Sequence, residues 1–239
     1  MRYLGGKHRQ SRAIASYVES LGVSFDCYRE PFCGALSSAM AVSSVLPGVP
    51  VVLSDANKFL MTLWKCGQDG WNPPNSTTES DHAYYKKHRP ENDPMTAYMG
   101  FAGSFGGQFF GVPARTNGVF HPSYNGTVKK IKWLRENDVS LACTPYWENL
   151  STENDLVYLD PPYIGGHQQS RKQDVPVFDR GHFIQYAESL SGVVITSEFV
   201  NEQGWEVVYN WGNTINEGWG KHNSSKRVEE LLMRVSSRA

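Results

Sequence analysis

A chain of 239 residues and 26.8 kDa is long enough for one large domain, or for one domain carrying a sizeable insertion. With 40% hydrophobic and 20% charged residues it can bury a core, which excludes wholesale disorder. The net charge of −1 conceals a bias: residues 86–135 hold eight Lys or Arg against two acids, +6, and leave −7 on the remainder. A basic face on an acidic body suits a polyanionic partner.

Apolar runs such as Val49–Leu53 are too short to span a bilayer, and the first residues carry no apolar segment of a secretory signal. Cys27, Cys33, Cys66 and Cys143 form no CxxC pair, which argues against a zinc site or a disulfide framework. A cytoplasmic protein with reduced thiols and no metal is expected.

In chain order, Ile14, Tyr17, Val18 and Leu21 recur at helical spacing and predict a helix over 8–21. Phe25–Arg29 reads as a strand that runs into Glu30, Pro31, Phe32, Cys33 and Gly34. A small-residue helix over Ala35–Val45 stops at Pro47 and Gly48. Val49–Leu53 is a continuous apolar strand ending at Ser54 and Asp55, followed by a helix near Ala56–Cys66. Such strand–helix alternation predicts a parallel sheet covered on both faces. The alternation breaks at Asp69 and resumes at Asp155. Residues 67–147, rich in Gly, Pro, Asn and aromatics, therefore read as an inserted subdomain between catalytic segments 1–66 and 148–239. A strand from Asp155 leads into Asp160, then a helix over Asp179–Leu190 and strands at Val193–Thr196, Trp205–Tyr209 and Glu229–Val235.

Asp160, Pro161, Pro162 and Tyr163 directly follow a buried strand, where open α/β sheets bind their ligands. The prolines fix the backbone, so a carboxylate, carbonyl oxygens and a phenol ring can share one cleft. A planar exocyclic amine is a poor nucleophile because its lone pair is delocalised into the ring. Two acceptors gripping its hydrogens, Asp160 and the Pro161 carbonyl, would pull it towards tetrahedral geometry while Tyr163 stacks on the base. Gly34 lies between a strand and a helix and lets the backbone approach a ligand closely. Asp55 ends the next strand, where Rossmann-like folds place an acid on ribose hydroxyls, and its spacing from Gly34 suits a nucleoside-bearing cofactor. The same Asp could instead be a helix cap.

Taken in this order, Tyr3–Lys7, Glu30–Gly34, Asp55 and Asp160–Tyr163 resemble the Dam-like family of DNA N6-adenine methyltransferases. The stretch Tyr98–Val112 is similar to the family's aromatic-glycine region before its recognition hairpin, and Lys226–Leu232 to its terminal strand. The resemblance implies a Rossmann-like, mainly parallel methyltransferase sheet with an inserted DNA target-recognition subdomain. It implies S-adenosylmethionine as cofactor, held by Tyr3, Lys7, Glu30, Phe32, Gly34, Asp55 and Asp160. It implies methyl transfer to N6 of an adenine flipped out of double-stranded DNA, with Asp160, Pro161, Pro162 and Tyr163 as the catalytic element. Lys86, Lys87, Arg89, Lys129, Lys130 and Lys132 would neutralise phosphates, and Arg115, Asn117 and Asn125 would reach base edges. Leu36 stands where many members have a second glycine, and Ser197 and Glu198 replace a Ser-Asn pair. Cytosine N4 or RNA as substrate, or a DNA-binding protein without turnover, are the alternatives.

Overall fold

Strands that are apolar throughout need cover on both faces, and here helices supply it on a single sheet. The computed structural model describes residues 1, 3, 5–162, 176–199, 201, 204–216 and 226–235. The elements begin with α1 (Ser11–Ser20), β1 (Cys27–Glu30), α2 (Ser37–Ser43), β2 (Val51–Ser54) and α3 (Lys58–Gln68). Then come α4 (Glu79–His88), α5 (Pro94–Ala97), β3 (Arg115–Thr116), β4 (Val119–Phe120), α6 (Tyr124–Glu136) and β5 (Val139–Ala142). β6 (Asp155–Leu159), α7 (Arg180–Ser189), β7 (Val193–Glu198), β8 (Glu206–Asn216) and β9 (Lys226–Val235) complete the described set.

The main sheet has the order β5-β2-β1-β6-β7-β9-β8. β5, β2, β1, β6 and β7 are parallel, and β9 and β8 are antiparallel additions at one edge. The expected α/β class with a mainly parallel sheet is the architecture found. Between β1 and β6 the progression of the chain across the sheet reverses, which opens a crevice at their carboxyl ends. β6, buried along its whole length, is the kind of strand that its unbroken apolar run predicts.

Local chemistry sets the helix starts. The Asn57 side chain caps α3 by accepting the Leu60 N–H, and Thr78 and Asp81 cap α4 reciprocally. Helix α3 then buries Phe59, Leu60, Met61, Leu63 and Trp64. Truncating any one of these leucines to Ala would cost about 2–5 kcal/mol.

The 67–147 stretch is more regular than its composition suggests. The aromatic-glycine residues form core: Phe101, Phe109 and Phe110 are buried, and the Phe109 ring lies against Gly100 so closely that no Cβ would fit. β3 and β4 make a two-residue hairpin in which Asn117 (φ 50°) and Gly118 (φ 79°) supply the left-handed turn. β5 also falls inside this stretch, yet it pairs in the main sheet, with Val51 opposite Val139 and Ser54 opposite Ala142. Among the described residues, no helix is long and apolar enough to cross a membrane.

Candidate active site

Asp160 leaves the carboxyl end of β6 at the crevice, and the Lys7 ammonium meets its Oδ1 at 2.6 Å. The Lys7 side chain is 3% exposed and that of Asp160 15%, so the pair is largely withdrawn from solvent. Pro161 is buried and Pro162 exposed, whereas Tyr163 lies outside the described residues. The Lys7 carbonyl accepts the Ser11 N–H at 2.7 Å, which ties this lysine to the start of α1.

Across the crevice, Asp55 follows β2 and accepts two backbone N–H groups, from Gly34 at 3.0 Å and from Asn57 at 2.9 Å. The two residues that the sequence pairs by spacing are thus in direct contact. Gly34 has φ 45°, which favours glycine, and a Cβ there would sit a tight 3.3 Å from the Tyr3 ring. Tyr3 packs its ring 5.3 Å from Phe101. The Gly34 carbonyl accepts the Trp64 indole N–H at 2.9 Å.

Glu30 is 1% exposed and its carboxylate is held by the Tyr28 hydroxyl at 2.7 Å and the Ser38 hydroxyl at 2.5 Å. Burial pushes its pKa up to about 8; the two hydroxyls oppose this, and Asp160 and Asp55 add to it. Burial likewise raises Asp55 above the usual carboxylate range, with Asp160 again contributing. Asp160 thus adds to the upward shift of both Glu30 and Asp55.

Phe32 turns away from this acidic group into a second aromatic cluster, stacked 5.2 Å from Tyr146 and edge-on to Phe183. Leu36 is fully buried and adopts the left-handed conformation (φ 63°, ψ 17°) at the start of α2, which a glycine would adopt without strain. Glu198 is buried and paired with Arg180 at 2.9 Å, and its neighbour Ser197 hydrogen-bonds the Tyr158 hydroxyl at 2.7 Å.

The basic residues divide into several settings. Lys86, Lys87, Lys129 and Lys132 are exposed, Lys132 beside Glu136 at 3.7 Å. Arg115 is exposed and bonded bidentately to Glu79, and Asn117 and Asn125 are exposed. Arg89 lies over the Phe109 and Phe110 rings. Lys130 is a correction: it does not face solvent and so cannot be a surface phosphate contact. It is 8% exposed and donates to the Ala35 carbonyl and, at 3.3 Å, to the Ser37 hydroxyl. A cavity of about 550 Å³ beside the hairpin is lined by Arg115, Thr116, His121, Asn125 and Asn75.

The sequence reading missed Tyr28, Ser38, Asn57 and Trp64. Asn57 had a signal, since it stands at the cap position before an apolar helical run. The other three satisfy buried groups through tertiary contacts that no local pattern announces.

Residues 3–102 match the family model of the D12 class N6 adenine-specific DNA methyltransferases. The family read from the motifs is the family matched. The chain is accordingly a methyltransferase, and the matched D12 class segment contains Tyr3, Lys7, Glu30, Gly34 and Asp55. Comparison with curated proteins yielded no match. Among solved structures, a protein described as a methyltransferase from Escherichia coli is similar at 8% identity and TM-score 0.45, over 96% of this chain and 86% of that one. One described as an RNA methyltransferase from Pyrococcus horikoshii shares 9% at TM-score 0.44, over 94% and 83%. A precorrin-6y C5,15-methyltransferase from Geobacter metallireducens shares 12% at TM-score 0.38, over 94% and 88%. Likeness this distant says nothing about substrate.

Proposed function

We propose that this protein transfers a methyl group from S-adenosylmethionine to the exocyclic N6 of an adenine flipped out of double-stranded DNA, at a specific site. The observation that carries the reading is the Lys7–Asp160 pair at the crevice between β1 and β6, facing the Gly34–Asp55 contact.

The crevice suits the cofactor on two counts. Gly34 presents its backbone at the crevice in a left-handed turn, and Asp55 and Asp160 bring carboxylates to it. When bound, S-adenosylmethionine supplies an electrophilic methyl on a positively charged sulfur. Tyr3, Lys7, Gly34, Asp55 and Asp160 are the residues that would hold it, Asp55 at the ribose; Glu30 lies buried beneath the loop and Phe32 packs in the neighbouring aromatic cluster, so both would act only through the backbone they support. Asp160 and the Pro161 carbonyl accept the two amine hydrogens, and Tyr163 stacks on the base. Lys7 keeps Asp160 ionised and aimed, because an opposite charge at this distance favours the carboxylate. Alignment of amine and methyl supplies much of the acceleration, and no covalent enzyme intermediate is required.

We assign DNA recognition to the segment between α3 and β5. Lys86, Lys87, Lys129 and Lys132 meet phosphates, while Arg115, Asn117 and Asn125 on or beside the hairpin read bases. Arg89 stays at the edge of this face. The cytoplasm is the setting proposed for it.

Incubation of the purified protein with mixed-sequence plasmid and, in parallel, with cellular RNA, each with labelled cofactor, tests this, with digestion of the products to nucleosides. N6-methyl-2′-deoxyadenosine is the expected product. N4-methylcytosine, methylated RNA only, or DNA binding without transfer would each replace the proposal.

A further inference from the structure

The loop from Cys33 to Ser37 joins β1 to α2 and carries Gly34 at the crevice. Three side chains from three separate elements pin it. Asp55 accepts the Gly34 N–H, Trp64 of α3 donates to the Gly34 carbonyl, and Lys130 of α6 donates to the Ala35 carbonyl and the Ser37 hydroxyl. The first two hold the residue at the crevice from either side. The third fixes the next turn, where Leu36 must remain left-handed.

Lys130 is an unexpected residue for this task. It sits on a helix whose neighbouring positions, Lys129 and Lys132, are exposed, yet its own side chain is buried against the loop. Burial pushes its pKa down to about 8, with Glu30 pulling the other way. Burying an ammonium is costly unless its donors are satisfied, and here the acceptors come from the loop itself. A lysine that only filled space would be replaceable by an apolar side chain with no effect on the crevice.

We infer that Lys130 is a positioning residue for the cofactor: reaching from the DNA-recognition segment, it holds the Ala35–Ser37 turn so that Gly34 presents its backbone to the ligand. The inference rests on the proposed cofactor site. It differs from a phosphate-binding role in what it affects, because a positioning lysine alters cofactor affinity and leaves the phosphate count unchanged.

The test is calorimetric binding of S-adenosylhomocysteine, alongside steady-state kinetics and the salt dependence of DNA binding. Lys130→Met should weaken S-adenosylhomocysteine about tenfold, as expected for losing a charged hydrogen bond. The Michaelis constant for S-adenosylmethionine should rise to match, with kcat at saturating cofactor within about twofold of wild type. The salt slope of DNA binding should be unchanged, whereas Lys129→Ala should lower it by about one while leaving cofactor affinity intact. Ser37→Ala removes one acceptor and leaves α6 untouched; it should weaken cofactor binding about threefold. Unchanged affinity in a folded Lys130→Met protein overturns the inference, as does a salt slope that falls as in Lys129→Ala. Should Lys130→Met fail to fold, unchanged affinity in Ser37→Ala overturns it. Wild type that binds no S-adenosylhomocysteine sinks the cofactor site itself, a separate failure.

Discussion

Leu36 sets two energies against each other, and a pair of substitutions can separate them. The left-handed conformation costs a residue with a Cβ roughly 1–2 kcal/mol. Burying the leucine side chain completely returns about 1.5–3 kcal/mol, so the side chain outweighs the strain. The conformation is fixed from both sides: the Leu36 N–H donates to Cys33 at 2.8 Å, and its carbonyl accepts from Met40 at 3.1 Å. Leu36→Ala and Leu36→Gly both lose the buried side chain, at about 2–5 kcal/mol. In ordinary backbone the Gly variant would be the worse by about 0.5–1 kcal/mol. Here Ala keeps the strain and Gly sheds it, so Gly should equal or exceed Ala by up to about 1 kcal/mol. Urea midpoints at matched slopes measure the difference, and thermal midpoints of both variants should lie roughly 10 °C below wild type. An Ala variant more stable than the Gly variant by about 0.5 kcal/mol or more would refute the reasoning.

Asp160→Ala should reduce methyl transfer by about a thousandfold or more, and Asp160→Asn nearly as much, because the amide can present a donor and lacks the charge. DNA binding should persist in both, and a near-normal transfer rate in either would displace Asp160 from the chemistry. Glu30 has a folded-state pKa near 8, above its ordinary 4.5, so the folded state holds the extra proton. Its contribution to stability is therefore greatest below about pH 4.5 and is lost as pH rises to about 8. Glu30→Gln should flatten that decline, read from urea midpoints at several pH values across the window; an unchanged pH dependence would contradict the assignment. At Gly67 a Cβ would lie 2.8 Å from Ile131 Cγ1. Gly67→Ala should destabilise by roughly 1–2 kcal/mol despite alanine's better helix propensity of about 1 kcal/mol. Adding Ile131→Ala should make the two changes less than additive, and simple additivity would argue against the clash.

What could be read in advance follows from the range of the forces concerned. Val51–Leu53 and Leu156–Leu159 are buried on both faces and therefore apolar at nearly every position, which a one-dimensional pattern records. Gly34 and Asp55 were legible because a fixed strand–turn–helix geometry dictates their spacing. Lys130 was misread because charge density is the same for exposed and buried lysines. A signal existed: with Thr127, Ile131 and Leu134 it falls on the i, i+3, i+4, i+7 face of α6, and those four residues are the buried ones. β5 was hidden for another reason, being short and at the sheet edge, with only Val139 buried. The left-handed turn at Leu36 leaves no trace in composition at all.

The pairing of β5 with β2 also bears on how such a protein could change its specificity. A strand of the main sheet is encoded downstream of the hairpin and α6, so one edge of that sheet depends on the segment to which DNA recognition is assigned in the proposal. Exchanging the whole of 67–147 for that of a relative would replace a sheet edge and remove Lys130, the side chain that braces Ala35 and Ser37. The tolerant unit for exchange is narrower and lies around the Arg115–Phe120 hairpin, whose Asn117–Gly118 turn joins two strands that pair with each other. Recombination confined to that tip could alter which sequence is read while the cradle beneath keeps its shape.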